Sequence, residues 1–104
     1  MDSKLEDKLM KDFDFMEHKN PDGTPSGRSV YCGVEDGWFH LIYNLCTELK
    51  ELYDSQGVPT NLIHVLQVKE KWGGLRFYVG DTIDGGQEII SKYEDLSFNI
   101  GDTK

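Results

Sequence analysis

The chain lacks several features that define large classes of protein. Its 104 residues include only three prolines, two cysteines and no apolar run long enough to span a membrane. The N-terminal stretch, Met-Asp-Ser-Lys-Leu-Glu-Asp-Lys, carries too many charges for the apolar core of a signal peptide. We therefore expect a cytoplasmic protein in which Cys32 and Cys46 are free thiols, the alternative being one disulfide in an exported protein.

Patterns typical of catalysis and of metal binding are also absent from the sequence. His18, His40 and His64 are widely separated and have no cysteine or aspartate at ligand spacing. Residues 81–85 begin like a calcium-binding loop, but the terminal glutamate of such a loop is missing. The sequence contains no nucleophile elbow and no phosphate-binding glycine loop. We therefore predict a non-enzymatic protein without catalytic residues, bound metal or cofactor.

Positive charge is scarce as well. The chain has 11 Lys and Arg residues against 19 Asp and Glu residues, a formal net charge of −8. This charge argues against nucleic acid as a direct partner, because phosphates would be repelled unless the basic residues were strongly clustered. An acidic surface suits docking onto a basic protein, although solubility alone explains the composition more simply. The sequence gives no reason to expect a membrane partner.

Aromatic residues compensate for a modest aliphatic content. Five Phe, five Tyr and two Trp can bury much surface per residue, which favours a folded chain over a disordered one. A chain of this length has room for one hydrophobic core. We therefore predict a single domain over residues 1–104, and the order of its predicted helices and hairpin makes it an α+β domain.

Apolar residues recur at helical spacing in three segments, which predicts helices over residues 3–16, 37–56 and 87–100. The middle helix has the strongest apolar stripe, formed by Trp38, Leu41, Ile42, Leu45, Leu49, Leu52 and Tyr53. Residues 17–29 contain two prolines, two glycines and no apolar residue. This composition predicts a flexible loop.

The ends of the first two predicted helices carry typical start and stop residues. Ser3, with Glu6 three residues later, has the spacing of a capping box. Asp36 is the expected N-cap of the second helix. Gly57, which precedes a Val-Pro pair, is the expected end of that helix.

Two apolar runs separated by a glycine pair predict a β-hairpin over residues 62–79. Residues 71–74, Lys-Trp-Gly-Gly, are the expected turn, because glycine tolerates the positive φ of tight hairpins. The nearly unbroken apolar run from Leu62 to Leu66 predicts that the first strand is covered on both sides at its start. We expect a small antiparallel sheet packed against the helices, and spacing does not decide whether residues 30–34 join it.

The same hairpin has a net positive charge, whereas the chain as a whole is acidic. Lys69, Lys71 and Arg76 lie near Trp72 and Tyr78 in the sequence. Cations beside planar aromatic rings can bind the phosphate and base of a nucleotide or of a single-stranded nucleic acid. Short basic and aromatic patterns are weakly specific, and an ordinary solvated strand end explains them more simply. These five residues are therefore the ligand-binding site of an alternative hypothesis.

Several motifs occur together between Tyr31 and about Ser97. They are Cys32-Gly33, Gly37-Trp38, Leu41-Ile42, Leu45-Cys46 and the twelve-residue string from Gln67 to Tyr78. In this combination the chain resembles a family of small phage- and prophage-encoded proteins, whose members have Phe where this chain has Trp72. The resemblance implies a phage-type protein but no established activity.

One departure from the family pattern concerns metal binding. Members of that family often continue beyond a Glu and a Ser on the last helix into a Cys-x-x-Cys-Gly tail, which resembles half of a metal site. Here Glu94 and Ser97 are present, but Ile100 and Thr103 stand near the cysteine positions. Two remote thiols cannot supply four tetrahedral ligands, so we expect no structural zinc.

The acidic composition and the resemblance together favour a phage-type inhibitor as the leading hypothesis. Such a protein would bind a host factor, for example a component of antiviral defence, and occlude a basic surface on it. The expected partner-binding residues are the acidic side chains Asp7, Asp14, Glu48, Glu51, Glu94 and Asp95. The alternatives are a protein that sequesters a nucleotide signal through the hairpin and an acidic immunity protein that neutralises a toxin. An exposed hairpin edge would also permit a homodimer.

Overall fold

Helices and small sheets alternate along the chain. A computed structural model describes residues 1–100, with the backbone alone described at residues 99 and 100. This part of the chain forms three α-helices, α1 at Ser3–Asp12, α2 at Phe39–Ser55 and α3 at Gly86–Ile100. It also forms five strands, β1 at Glu17–Lys19, β2 at Pro25–Ser29, β3 at Cys32–Gly33, β4 at Val65–Lys71 and β5 at Gly74–Val79. The predicted α+β class is confirmed.

The first helix is shorter than the predicted 3–16. It ends at Asp12 because Phe13 is extended, with a φ of −133°, and a 3-10 turn follows at Asp14–Met16. Asp2, and not Ser3, is the N-cap, since its carboxylate accepts a hydrogen bond of 2.8 Å from the Lys4 amide. The break after the helix allows both Phe15 and Met16 to enter the core.

The second helix is preceded by a 3-10 turn at Asp36–Trp38, so it begins later than predicted. Asp36 is not its N-cap, because the Asp36 carboxylate accepts a 2.7 Å hydrogen bond from the Asp2 amide. The predicted end is confirmed: Gly57 has a φ of +70°, and the following amide, of Val58, donates back to the Tyr53 carbonyl.

The segment predicted as a flexible loop, residues 17–29, is a second hairpin in which β1 and β2 pair antiparallel. Composition misleads here because polar contacts hold this hairpin. The Glu17 carboxylate accepts a 2.7 Å hydrogen bond from the Gly27 amide, and the Asp22 carboxylate accepts one of 3.0 Å from the Thr24 amide. The Lys19 ammonium donates to two backbone carbonyls, that of Asn61 in the 3-10 turn at Thr60–Leu62 and that of Ile63, the next residue after the turn.

The other sheet has three strands in the order β3-β4-β5. β4 and β5 form the predicted antiparallel hairpin, whereas β3 pairs parallel to β4, so the sheet is mixed and residues 30–34 contribute a strand. Trp72 and Gly73 form a two-residue turn with positive φ at both positions, 57° and 79°, which confirms the predicted turn.

The start of β4 differs from the prediction. The strand begins at Val65, three residues later than expected, and its register shifts between Val65 and Gln67. Because this bulge adds one residue, Leu66 points away from the core, while Leu62 belongs to a 3-10 turn. Both side chains are more than half exposed, so the prediction that this run is covered on both sides is wrong.

One contiguous core lies between the inner face of the three-stranded sheet and the helices. Val68, Leu75 and Phe77 of the sheet are buried in it together with Leu41, Ile42, Leu45, Leu49 and Tyr53 of α2. Cys32 and Cys46 are free, fully buried thiols. Among the described residues, no helix is both long enough and apolar enough to cross a membrane.

Both edges of the three-stranded sheet are covered by side chains from helices. On the β5 edge, the amides of Phe77 and Leu75 donate to the Glu94 carboxylate at 2.9 Å and to the Ser97 hydroxyl at 2.8 Å. On the β3 edge, the Cys32 amide donates to the Glu6 carboxylate at 2.7 Å. The predicted exposed hairpin edge is therefore occupied, and a homodimer stays a prediction without this support.

Candidate functional site

The face of the three-stranded sheet that points away from the core gathers the basic residues of the hairpin. In the strand register Lys69 lies opposite Arg76 on β5 and beside Gly33 on β3. Side chains alternate along a strand, and the residues between these positions, such as Val68 and Phe77, are buried in the core. Lys69 and Arg76 therefore occupy the centre of the outer face.

Two further hairpin residues share this outer face. Lys71 pairs with Gly74 near the turn, and Tyr78 pairs with Gln67 at the opposite end. The structure thus brings four of the five residues of the alternative hypothesis onto one surface. The fifth, Trp72, projects from the adjoining turn and is 84% exposed.

Two glycines leave room for aromatic rings on this face. A Cβ atom at Gly33 would lie 3.3 Å from Cε2 of Tyr31, and a Cβ atom at Gly74 would collide with the ring of Phe98. Tyr31 therefore lies over β3, and Phe98 of α3 lies over β5. We call the surface formed by Tyr31, Gln67, Lys69, Lys71, Arg76, Tyr78 and Phe98 the open sheet face.

The aromatic side chains of the open sheet face are unusually accessible. Tyr31 is 75% exposed, Phe98 51% and Tyr78 40%. Isolated exposed apolar residues are common, but several aromatic rings grouped on one surface mark an interaction site more often than chance exposure does. These rings leave aromatic surface available to a ligand.

The backbone of Trp72, at the tip of the hairpin, is in a strained conformation. Its φ of 57° lies in the left-handed region, which large side chains rarely adopt and which glycine or asparagine normally occupies in such turns. Glu70, the lone acidic residue of the hairpin, supports this turn by accepting a 2.6 Å hydrogen bond from the Gly73 amide. A strained, exposed tryptophan at this position supports a role in contact with a partner.

The cations of the open sheet face have few internal contacts. The Arg76 guanidinium carbon lies 5.7 Å from the centre of the Phe98 ring, and its Nη1 donates to the Leu75 carbonyl at 3.1 Å. Within the described part of the chain, neither Lys69 nor Lys71 forms an ion pair. Both ammonium groups can therefore meet an anionic ligand.

A shallow cavity of about 330 Å³ adjoins this face on the β3 side. Its lining includes Tyr31 and Gly33, but also the carboxylates Glu35 and Glu70. The negative charge of these carboxylates disfavours a phosphate inside the cavity itself. The flat part of the face around Lys69 and Arg76 is therefore better suited to an anion than this cavity is.

Two of the six predicted partner-binding acids have structural roles. Glu48 of α2 accepts hydrogen bonds of 2.7 and 2.9 Å from the Lys92 ammonium, and one from the Tyr93 hydroxyl, which joins α2 to α3. These bonds lower the pKa of the Glu48 carboxyl, while burial and the same carboxylate raise the pKa of Tyr93 to about 12. Glu94 closes the β5 edge. Contact with a partner would compete with these internal bonds.

The other four predicted partner-binding acids lie on the surface. Asp7 of α1, Glu51 of α2 and Asp95 of α3 are exposed. Asp14, in the 3-10 turn after α1, is exposed too, but its carboxylate accepts a 2.8 Å hydrogen bond from the Thr60 hydroxyl. These acids are distributed over four different elements of the chain, whereas the basic residues share one face.

In the part of the chain that the structure describes, no three or more His, Cys, Asp and Glu side chains are grouped as metal ligands would be. Thr103 and the side chain of Ile100, which stand near the family's cysteine positions, lie outside the described residues. His18 and His64 do line a common cavity of about 480 Å³, but its one cation, Lys19, already donates to backbone carbonyls.

Sequence patterns alone miss Tyr31 and Phe98. Tyr31 precedes a strand of only two residues, and Phe98 lies on a helix that is distant from the hairpin in sequence. The available signal is a glycine at each of two strand positions, Gly33 and Gly74, where a side chain would otherwise fill the space. That signal becomes specific only when the strand register is known.

Comparisons of the chain with protein-family models, with curated proteins and with solved structures find no match. The resemblance to phage-encoded proteins therefore stays a prediction.

Proposed function

We propose that this protein acts by non-covalent binding, and that the open sheet face captures a ligand combining a planar base with a phosphate, as in a nucleotide. The observation that carries the proposal is the convergence of Lys69 and Arg76 with three exposed aromatic rings on a surface that the core does not use. A base stacked on such a ring gains roughly 1–3 kcal/mol. An adjacent ammonium or guanidinium group then binds the phosphate.

Sequestration is the form of activity that fits this arrangement. The open sheet face offers cations and rings, while the carboxylates Glu6, Glu48 and Glu94 are hydrogen-bonded within the fold. Exposed rings and cations can hold the base and the phosphate of a nucleotide and lower its free concentration without changing it chemically. The prediction that the protein is not an enzyme is part of this proposal.

Thermal unfolding in the presence of nucleoside monophosphates and cyclic nucleotides tests the proposal. A ligand that binds only the folded state raises the melting temperature, by an amount that grows with ligand concentration. Lys69→Ala should abolish most of this increase. Lys50→Ala is the matched control, because Lys50 is exposed on α2 and forms only a surface ion pair with Asp54.

A melting temperature that no nucleotide raises would contradict the proposal. So would an equal response of the Lys69→Ala and Lys50→Ala variants, because binding would then not involve the open sheet face. Isothermal titration of the wild-type protein with the strongest ligand gives the stoichiometry, which we expect to be one ligand per chain.

Inhibition of a host factor is the second candidate function. It is favoured by the net charge of −8 together with the exposed acids Asp7, Glu51 and Asp95. These side chains could meet Lys and Arg residues of a basic host protein, such as a component of antiviral defence, and block its surface. Affinity capture from host lysate should then recover a basic protein at low salt and lose it at high salt. Recovery that is unchanged by Glu51→Lys and Asp95→Lys would exclude these acids as the contact.

A further inference from the structure

We infer that the open sheet face is built for a short stretch of single-stranded nucleic acid, about two or three nucleotides long, in preference to a free mononucleotide. This inference rests on the proposed function, because it names the ligand class of the same face.

The separation of the aromatic rings is the first argument. Tyr31 lies over Gly33 on β3, whereas Tyr78 and Phe98 lie on or over β5, with β4 between them. Neighbouring strands are about 4.8 Å apart, so the rings on the two sides of the sheet are separated by roughly 10 Å. One base cannot stack on both sides at once. Two bases of one strand can.

The position of the cations is the second argument. Lys69 and Arg76 are cross-strand neighbours on β4 and β5, and therefore lie between the ring over β3 and the rings at β5. Lys71 lies two residues further along β4, beside the turn that carries Trp72. Phosphates that link bases stacked on the rings would meet these charges in turn. A mononucleotide would use one ring and one cation.

The shape of the surface is the third argument. Small ligands are usually held in concave pockets that bury most of their surface. Two shallow cavities reach Tyr31, one lined also by the carboxylates Glu35 and Glu70 and the other by His18, Arg28 and Ser29, and neither contains Lys69, Lys71 or Arg76. A flat sheet with exposed rings is instead the type of surface on which RNA-binding sheets stack two or three unpaired bases.

The acidic character of the chain then becomes a source of selectivity. A net charge of −8 repels polyphosphates in general, and only a strongly clustered basic patch can overcome this repulsion. The three cations of the open sheet face are clustered in this way. Duplex DNA has a higher charge density and keeps its bases stacked inside, so it gains no ring contacts and is repelled more strongly. We expect single strands to bind and duplexes not to bind.

Fluorescence titration can test this inference because the two tryptophans differ. Trp72 is 84% exposed beside the open sheet face and Trp38 is fully buried, so quenching by a ligand reports on Trp72. The probes are thymidine monophosphate, its single-stranded dimer, trimer and hexamer, a short duplex, and polyglutamate as an anionic peptide. Affinity should rise at least tenfold from the monophosphate to the trimer, since each stacked base adds a factor of about ten.

Single substitutions test whether the trimer binds to the open sheet face. Tyr31→Ala should weaken trimer binding about tenfold, because it removes one stacking ring. The control Leu62→Ala, which truncates an exposed apolar residue outside the face, should leave it unchanged. Lys69→Gln should reduce the slope of log affinity against log salt by about 0.7, the contribution of one phosphate contact on a single strand. Circular dichroism confirms that each variant is folded.

The outcomes separate the two proposals. A trimer that binds no more tightly than the monophosphate overturns this inference and leaves the proposed function standing. Equal binding of the duplex, or of polyglutamate, also overturns it, because the face would then recognise negative charge without unpaired bases. Binding of no probe at all overturns both.

Discussion

At each edge of the three-stranded sheet a glutamate carboxylate accepts a hydrogen bond from a strand amide, and the two glutamates come from opposite ends of the chain. Glu6 of α1 accepts a hydrogen bond from the β3 edge, and Glu94 of α3 accepts one from the β5 edge. The surroundings differ, since Glu6 is 9% exposed and Glu94 is half-buried. β3 has two residues and β5 has six, so the short strand depends on the more deeply buried carboxylate.

This difference shows how a small sheet can keep an open face without open edges. Free strand edges invite pairing with other chains, and covering them with side chains leaves one face as the accessible surface of the sheet. Glu6 and Glu94, which cover the edges, accept hydrogen bonds from strand amides. In the strand register no acidic residue lies directly opposite Lys69 or Arg76. Amides at both edges are bound by carboxylates, while two cations face each other at the centre of the same sheet.

The largest expected effect is a loss of stability at alkaline pH, to which the Cys32 thiol of the β3 edge contributes. Burial, with the Glu6 carboxylate as a second cause, raises the pKa of the Cys32 thiol from 9.0 to about 12. The stability linked to this thiol is complete below pH 9.0 and is lost as the pH rises towards about 12, because the unfolded chain releases the proton first. Burial likewise raises the pKa of Cys46. Urea unfolding at increasing pH should show this loss.

A control variant separates the contribution of Cys32 to this alkaline loss from that of Tyr93 on α3. Tyr93, whose pKa burial and Glu48 raise from 10.0 to about 12, adds its own loss only above pH 10.0. Tyr93→Phe should therefore leave the loss that begins near pH 9.0 intact, and Cys32→Ala should reduce it. A free energy of unfolding that stays constant between pH 9.0 and pH 10.0 would contradict the prediction.

The next largest effect is expected from removing the carboxylate at the β3 edge. Glu6→Ala leaves the buried Cys32 amide without an acceptor and should lower the free energy of unfolding by about 2–3 kcal/mol. Glu6→Gln keeps an acceptor oxygen without the charge and should cost about 1 kcal/mol. Urea denaturation of the three proteins measures both values. Equal losses in the two variants would show that the charge, and not the hydrogen bond, holds this edge.

A smaller effect is expected at the β5 edge. Ser97 is fully buried, so Ser97→Ala should cost about 1–2 kcal/mol by leaving the Leu75 amide unpaired. Glu94→Ala should cost about 1 kcal/mol, because water can reach the Phe77 amide beside a half-buried side chain. Urea denaturation of the Ser97→Ala and Glu94→Ala variants measures both losses of unfolding free energy. If Glu94→Ala were as costly as Glu6→Ala, burial would not explain the difference between the edges.

Local patterns predict much of this fold. Helical periodicity locates α2 and α3 closely, and the glycine pair locates the turn of the β4–β5 hairpin. The end of α1 is missed because an apolar stripe continues past Asp12 into a 3-10 turn that also faces the core. Periodicity reports which residues are buried and does not report the backbone conformation that buries them.

Long-range pairing explains the remaining differences. β3 is two residues long and its partner strand lies more than thirty positions away, so no local pattern can predict it. The β1–β2 hairpin is held by polar contacts that an apolar pattern does not detect. The candidate site has the same limitation. Its hairpin residues can be predicted from the sequence, whereas Tyr31 and Phe98 reach the face only through the register and through α3.

The smallest effect on stability, but a clear effect on binding, is expected at the two glycines beneath the aromatic rings. Neither Gly33 nor Gly74 has a positive φ, so alanine fits both backbones. At Gly74 the added methyl collides with the Phe98 ring, which must move, whereas at Gly33 it meets Tyr31 at 3.3 Å. Phe98 is half exposed and can rotate into solvent, so the free energy of unfolding should change by less than about 1 kcal/mol.

The two glycine variants therefore compare the sides of the open sheet face directly. Gly74→Ala displaces a ring from the β5 side and should weaken the binding of a single-stranded trimer several-fold, while Gly33→Ala, which needs only a small shift of Tyr31, should change it less. NMR spectra of the Arg76 side chain report the ring position, because its guanidinium lies 5.7 Å from the Phe98 centre. An unchanged Arg76 signal in Gly74→Ala would mean that Phe98 does not lie over β5, and the β5 side of the face would then contain only Tyr78.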